Sequence, residues 1–196
     1  MNKQTFKLGL AGLAIAVNVL AGSIVSSLKI PLLFLDAIGT IFIAVLLGPF
    51  WALGVGIVTN LVMGVTSGPT AIPFGLVNGG IGLVVGLIAR KYGFGWGSAI
   101  ISGIIISIVA PLIGTPISIA MFGGLTGGGI DIFVLWLSQM GQSIFAAAFI
   151  PRITSNFVDK ILSCILVLLL IKQLPATLLL KMGYSTKERN DQSYGA

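Results

Sequence analysis

LDAIGTIFIAVLLGPFWALGVGIVTNLVMGVTSGPTAIPFGLVNGGIGLVVGLIARK, residues 35–91, is the stretch whose reading decides the fold. It carries three apolar blocks in succession, approximately 32–48, 50–66 and 73–89. A membrane span needs about 20 apolar residues, with a range near 17–25, and each block approaches that length. Gly48-Pro49 and Thr66-Ser67-Gly68-Pro69-Thr70 divide them, and such residues punctuate helices with turns. Arg90-Lys91 closes the stretch, and basic residues at the end of an apolar block mark the cytoplasmic side.

Outward from this stretch the pattern repeats. A block at 6–26 precedes it, and blocks at 98–122, 131–150 and 155–174 follow. Hydrophobic residues make up 56% of the 196-residue chain and charged residues 8%, against roughly 25% charged in a soluble protein. Too little charge exists to coat a water-exposed surface. The chain reads as an all-α polytopic membrane protein, a single transmembrane domain over 1–180 with a polar cytoplasmic tail over 181–196. The first block follows Lys3 and Lys7 and exceeds the roughly 7–15 residues of a signal-peptide core, so it reads as a retained span.

The basic residues set the crossing number. Lys3 and Lys7 place the N-terminus inside, and four spans return the chain inside at Arg90-Lys91. The last block ends at Lys172, followed by Lys181, Lys187 and Arg189, which also belong inside. An even number of crossings follows. The block to demote is 131–150, bracketed by the glycine run 123–129 and by Pro151-Arg152, and carrying Trp136, Gln139 and Gln142. The expected fold is therefore a six-transmembrane-helix bundle with an additional outer-side or re-entrant helix near 131–150. The competing seven-crossing arrangement puts the basic tail outside.

Several chemistries are excluded. The absence of histidine removes imidazole metal sites and histidine proton relays, and the single cysteine, Cys164, has no intramolecular disulfide partner. No Walker A sequence, no Gly-x-Ser-x-Gly and no metal-ligand cluster is present, so no ATP hydrolysis, enzyme activity, metal or cofactor is expected. The net charge of +6 is scattered over block ends with no basic stripe, which argues against nucleic acid.

The candidate binding residues are polar or aromatic groups that interrupt the apolar blocks. Asn60 and Asn78 lie on faces of small residues, and buried amides need partners, so they either bond each other or face a solute. Phe74 opens the fourth block and either stacks on a flat ligand or anchors at the interface. Asp131 either caps the following helix or lines a site. Asp159 and Lys160 begin the last block, where a charge is costly unless it is used. Asp36 either caps or lines, and Trp136 joins the aromatic candidates. A flat, mostly neutral ring compound fits this set. Small residues at a spacing of four line spans three to five, as internal packing faces require. Gly12 and Ala16 form a further pair in the first span that either packs internally or docks a partner helix.

Segments 35–91, 116–132 (PISIAMFGGLTGGGIDI) and 159–175 (DKILSCILVLLLIKQLP) together resemble the S components of energy-coupling factor (ECF) transporters, the substrate-binding membrane subunits of prokaryotic vitamin importers. The resemblance implies six helices with both termini cytoplasmic in the cell membrane. It implies a site near the outer face, into whose regions Asn78, Asp131, Asp159 and Lys160 fall. It also implies a vitamin-like solute, and partners consisting of a transmembrane coupling subunit and two ABC ATPases. Gly12 and Ala16 correspond to the family's docking face for the coupling subunit, with Gly12 standing where an alanine is usual. Two rival readings are a stand-alone secondary transporter and a membrane ligand sensor or accessory module.

Overall fold

A computed structural model of the chain describes residues 2–182, the side chain of Lys181 excepted. The end of the expected polar tail, 183–196, lies outside the described residues. All regular structure among those residues is helical. In chain order the α-helices are α1 (Lys3–Ser27), α2 (Ile38–Leu46), α3 (Pro49–Thr66), α4 (Gly75–Tyr92), α5 (Trp96–Phe122), α6 (Asp131–Gln139), α7 (Ile144–Gln173) and α8 (Ala176–Met182). A 3-10 helix, Pro69–Phe74, leads directly into α4. Five helical stretches are long and apolar enough to cross a bilayer: α1, α3, the 3-10 helix with α4, α5 and α7. Large apolar side chains stand exposed around the outside, among them Leu13, Leu20, Val65, Leu76 and Leu112. Water does not tolerate so much exposed apolar surface on a monomer, whereas lipid does.

The second block differs from its expected form. Only nine of its residues are helical, and α2 is about 14 Å long against a hydrocarbon core of about 30 Å. The preceding residues, 28–37, run as irregular backbone with Leu35 at φ 53°. The cause lies elsewhere in the chain. The amides of Phe34 and Leu35 donate to Asp159 Oδ1, each at 2.9 Å, instead of to helical carbonyls.

The block 131–150 likewise is not one helix. It breaks after α6, turns through Gly141 at φ 80°, and its remainder opens α7, whose first turn is capped by Ser143 accepting from the Ala146 amide at 3.3 Å. α7 then runs unbroken through Pro151, so no boundary falls between 150 and 155. A proline within a membrane helix is tolerated where protein covers the freed backbone; the carbonyl that Pro151 leaves free belongs to Ala147, which is fully buried in the bundle.

Glycines set how closely the helices pack. A methyl group on Gly56 would lie 2.5 Å from the backbone of Asn78, and one on Gly82 2.8 Å from Ala52, so the α3–α4 seam is backbone against backbone. Gly103 similarly admits Ile161 of α7 against α5. α2 sits in the middle, packed on α1, α3, α4 and α7, with Ile41 and Ile43 fully buried.

These contacts also sort the two ends of the bundle. Gly48 meets the Arg90 side chain, Gly86 meets Pro49, Lys172 Nζ lies 5.1 Å over the Trp96 ring, and α8 touches α1. The N-terminus of α1 and residues 48–49, 90–96 and 172–182 therefore share one end, which carries Lys3, Lys7, Arg90, Lys91 and Lys172. At the other end Gly22 meets Asp36, Gly129 meets Lys29, and Gly124 meets Ala148.

Candidate functional site

The end opposite the basic cluster holds a cavity of about 350 Å³. Its rim comes from the non-helical segment after α1, the turn around Ser67-Gly68 and the glycine run 127–129. Its depth is apolar, with Val77, Ile81, Ala110 and Gly114 of α4 and α5. The rings of Phe74 and Phe122 stack at 6.4 Å across one wall, and both line it. The volume lies at the lower end of the range for small-molecule sites, and an apolar lining with few placed polar groups is their usual composition.

α7 contributes the charged wall. Lys160 is 3% exposed and its Nζ lies 2.6 Å from Asp159 Oδ2 and 3.3 Å from Asp36 Oδ1. Asp159 is fully buried and uses its other oxygen to hold the Phe34 and Leu35 amides. Asp36 differs, with a side chain 34% exposed on the cavity side. Ser155, one turn earlier, donates to the Pro31 carbonyl at 3.0 Å. The segment 31–36 is thus fastened to α7 at successive points, and its aromatic Phe34 lies 5.8 Å beneath Lys160 Nζ.

The two amides meet. Asn78 Nδ2 donates to Asn60 Oδ1 at 3.3 Å and to the Asp36 carbonyl at 3.0 Å, while Asn60 Nδ2 donates to the Ala71 carbonyl at 3.1 Å. Both therefore hold rim segments, Asn60 the one at Ala71 and Asn78 the one at Asp36, and both border the cavity. Asn78 Oδ1 is buried without a hydrogen-bond partner, where buried acceptors ordinarily have one.

The expected residues divide accordingly. Asn60, Phe74, Asn78 and Lys160 border the cavity. Asp159 stands behind them as a support. Asp131 accepts from the Thr126 amide at 3.1 Å and the Gly127 amide at 2.6 Å, stabilising the loop rather than bordering the cavity, and the N-cap position of α6 belongs to Ile130. Trp136 is 56% exposed on α6, outside the cavity lining. Gly12 and Ala16 lie on the exposed outer face of α1, and a methyl on Gly12 would meet nothing within 4 Å.

Sequence reading missed Arg152 and Asn156. Both line the cavity, each 7% exposed, Arg152 about two turns and Asn156 about one turn before Lys160 on the same face of α7. Their spacing of four was a usable signal. It was hidden by ending one apolar block at 150 and starting the next at 155. Asn18 was also missed. Its Oδ1 accepts from the Gly39 amide at 2.7 Å and its Nδ2 donates to Thr40 and Thr59, tying α1, α2 and α3 beneath the cavity. Comparison with known protein families, characterised proteins and solved structures finds no match to this chain.

Proposed function

We propose that the protein captures a small organic solute in this cavity and delivers it to an ATP-driven importer, as the S component of an ECF-type transporter. The observation that carries the reading is a cavity of small-molecule size at the end of an apolar bundle remote from its basic end. Basic residues favour the cytoplasmic side, so the cavity faces outward. On this reading α2 and the segment before it together form the second of six crossings, with both termini cytoplasmic in the cell membrane. Irregular backbone at membrane depth is permitted there because it borders a cavity and is held by protein. The glycine-bearing outer face of α1, with Gly12 and Ala16, is the docking surface for the transmembrane coupling subunit, and two ABC ATPases supply the energy.

One observation favours a second reading. Buried Lys160 and Asp159 form a charged trio with half-exposed Asp36, and such groups serve ion coupling in stand-alone transporters. Uptake of the solute that co-purifies with the protein, identified by native mass spectrometry, separates these. The importer reading expects uptake to vanish in cells lacking the coupling ATPases. Uptake that persists without them, but collapses with the proton gradient, sinks it in favour of ion coupling. Binding with no uptake in either strain indicates a sensor.

A further inference from the structure

We infer that the solute carries an anionic group, a carboxylate or a phosphate, which pairs with Arg152, and a hydrogen-bond donor at its other end, which meets Asp36. The inference rests on the cavity being a solute site. Arg152 is 93% buried, as its 7% exposure implies, yet all its hydrogen bonds go to uncharged acceptors. Nη1 donates to the Ala148 carbonyl, and Nη2 donates to Ser118 Oγ at 2.6 Å and to the Gly124 carbonyl at 2.9 Å. Among the described residues no carboxylate lies within ion-pair distance of it. Asp131 attracts it from farther away, with both oxygens already engaged by the loop amides. A guanidinium has five N–H donors in a fixed fork, so two remain for a ligand.

The cavity is electrically bipolar as a result. Lys160 stands between two carboxylates, which leaves one negative charge in surplus, and the exposed member of that trio is Asp36. Arg152 supplies one positive charge about 12 Å away along α7, eight residues at about 1.5 Å each. A buried, uncompensated charge is expensive, and a ligand of opposite sign relieves that cost when it binds. A purely structural use of Arg152 would be to cap the C-terminal end of α5, where Ser118 and Gly124 lie. That end carries only about half a negative charge, and Asp131 acts from beyond ion-pair distance, so the guanidinium is left without a contacting counter-charge. On this inference the solute is an acid, where the sequence suggested a flat, mostly neutral ring compound.

The test uses the full-length protein in detergent and the small-molecule fraction of yeast extract, split on a strong anion exchanger at about pH 10, where amino acids are also retained. Thermal unfolding is followed with each fraction. The retained fraction should raise the melting temperature and the flow-through should not. Protection by the flow-through alone overturns the anionic assignment while leaving solute binding intact. Protection by neither fraction overturns solute binding itself. Arg152→Gln should require at least tenfold more of the retained fraction for half-maximal protection, with Arg152→Lys intermediate. An unchanged requirement in Arg152→Gln, or a lowered melting temperature of the unliganded variant as its only effect, overturns the role of Arg152. The wild-type fractionation decides the charge class even if a variant fails to fold. Eluting carboxylates and phosphates separately identifies which acid is bound.

Discussion

The Asp159–Lys160 pair gives the sharpest test of how the charged wall is held. Both side chains are essentially buried, at 0% and 3% exposure. Removing one member of a buried pair typically costs about 3–5 kcal/mol, because the other is left charged in a medium of low polarity. Lys160→Met leaves Asp159 with two backbone donors and no cation, so the full cost is expected. Asp159→Asn keeps an oxygen for the Phe34 and Leu35 amides and leaves Lys160 with Asp36 alone, so its cost should fall toward the lower value. The double variant, Asp159→Asn with Lys160→Met, retains those two hydrogen bonds and contains no buried charge from either position. It should be more stable than the sum of the single effects by about 2–3 kcal/mol, the upper range for directly contacting residues. Equilibrium unfolding in mixed micelles of increasing SDS content measures all four corners of the cycle. Additivity within about 0.5 kcal/mol would show that the two charges do not depend on each other and would refute the reasoning.

Gly56→Ala should destabilise the bundle by about 1–3 kcal/mol, because its methyl would sit 2.5 Å from rigid backbone, and the same unfolding assay reads it. Gly12→Leu meets open space, so it should leave the melting temperature of the isolated protein unchanged while abolishing co-purification with the coupling subunit. Retained co-purification would move the docking face elsewhere. Asn18→Leu leaves the Gly39 amide unsatisfied and the two threonines without their shared partner, so a loss of about 2 kcal/mol in unfolding free energy is expected. Cys164 is fully buried and should not react in the folded protein, which permits single-cysteine topology mapping. A membrane-impermeant maleimide on intact cells should label Thr70→Cys and spare Gly97→Cys; labelling of both would reject the proposed orientation.

Much of the bundle was legible because lipid imposes a simple rule. Spans must be long, apolar and helical, and the lengths of the blocks at 6–26, 50–66, 73–89 and 98–122 express it directly. The glycines at spacing four in spans three and four likewise predicted close seams, and Gly56 and Gly82 occupy them. The failures arose where a distant residue overrides local preference. Residues 32–37 are as apolar as a helix needs, yet a carboxylate about 125 positions later captures their amides, and hydropathy carries no trace of that. Pro151 read as a boundary because proline disfavours helix interiors in water. Within the bundle its freed carbonyl lies in protein, and α7 continues. The amides Asn60 and Asn78 were expected either to bond each other or to face a solute; they bond each other, and each also holds a rim segment in place, which no local sequence signal carries.

The attachment of residues 31–36 to Ser155, Asp159 and Lys160 has a consequence for biogenesis. Its partners stand 124 or 125 positions farther along the chain. A ribosome making about 5–20 residues per second needs several seconds or more to supply them. Throughout that interval the peptide groups of this segment have no protein partner from α7, and bare peptide groups are not stable in hydrocarbon. The early part of the chain must therefore wait at the membrane surface, or be sheltered by the insertion machinery, until the last long helix arrives. The cavity then closes only after α7 has arrived, and a nascent chain halted before Asp159 would hold most of the helices but no finished cavity.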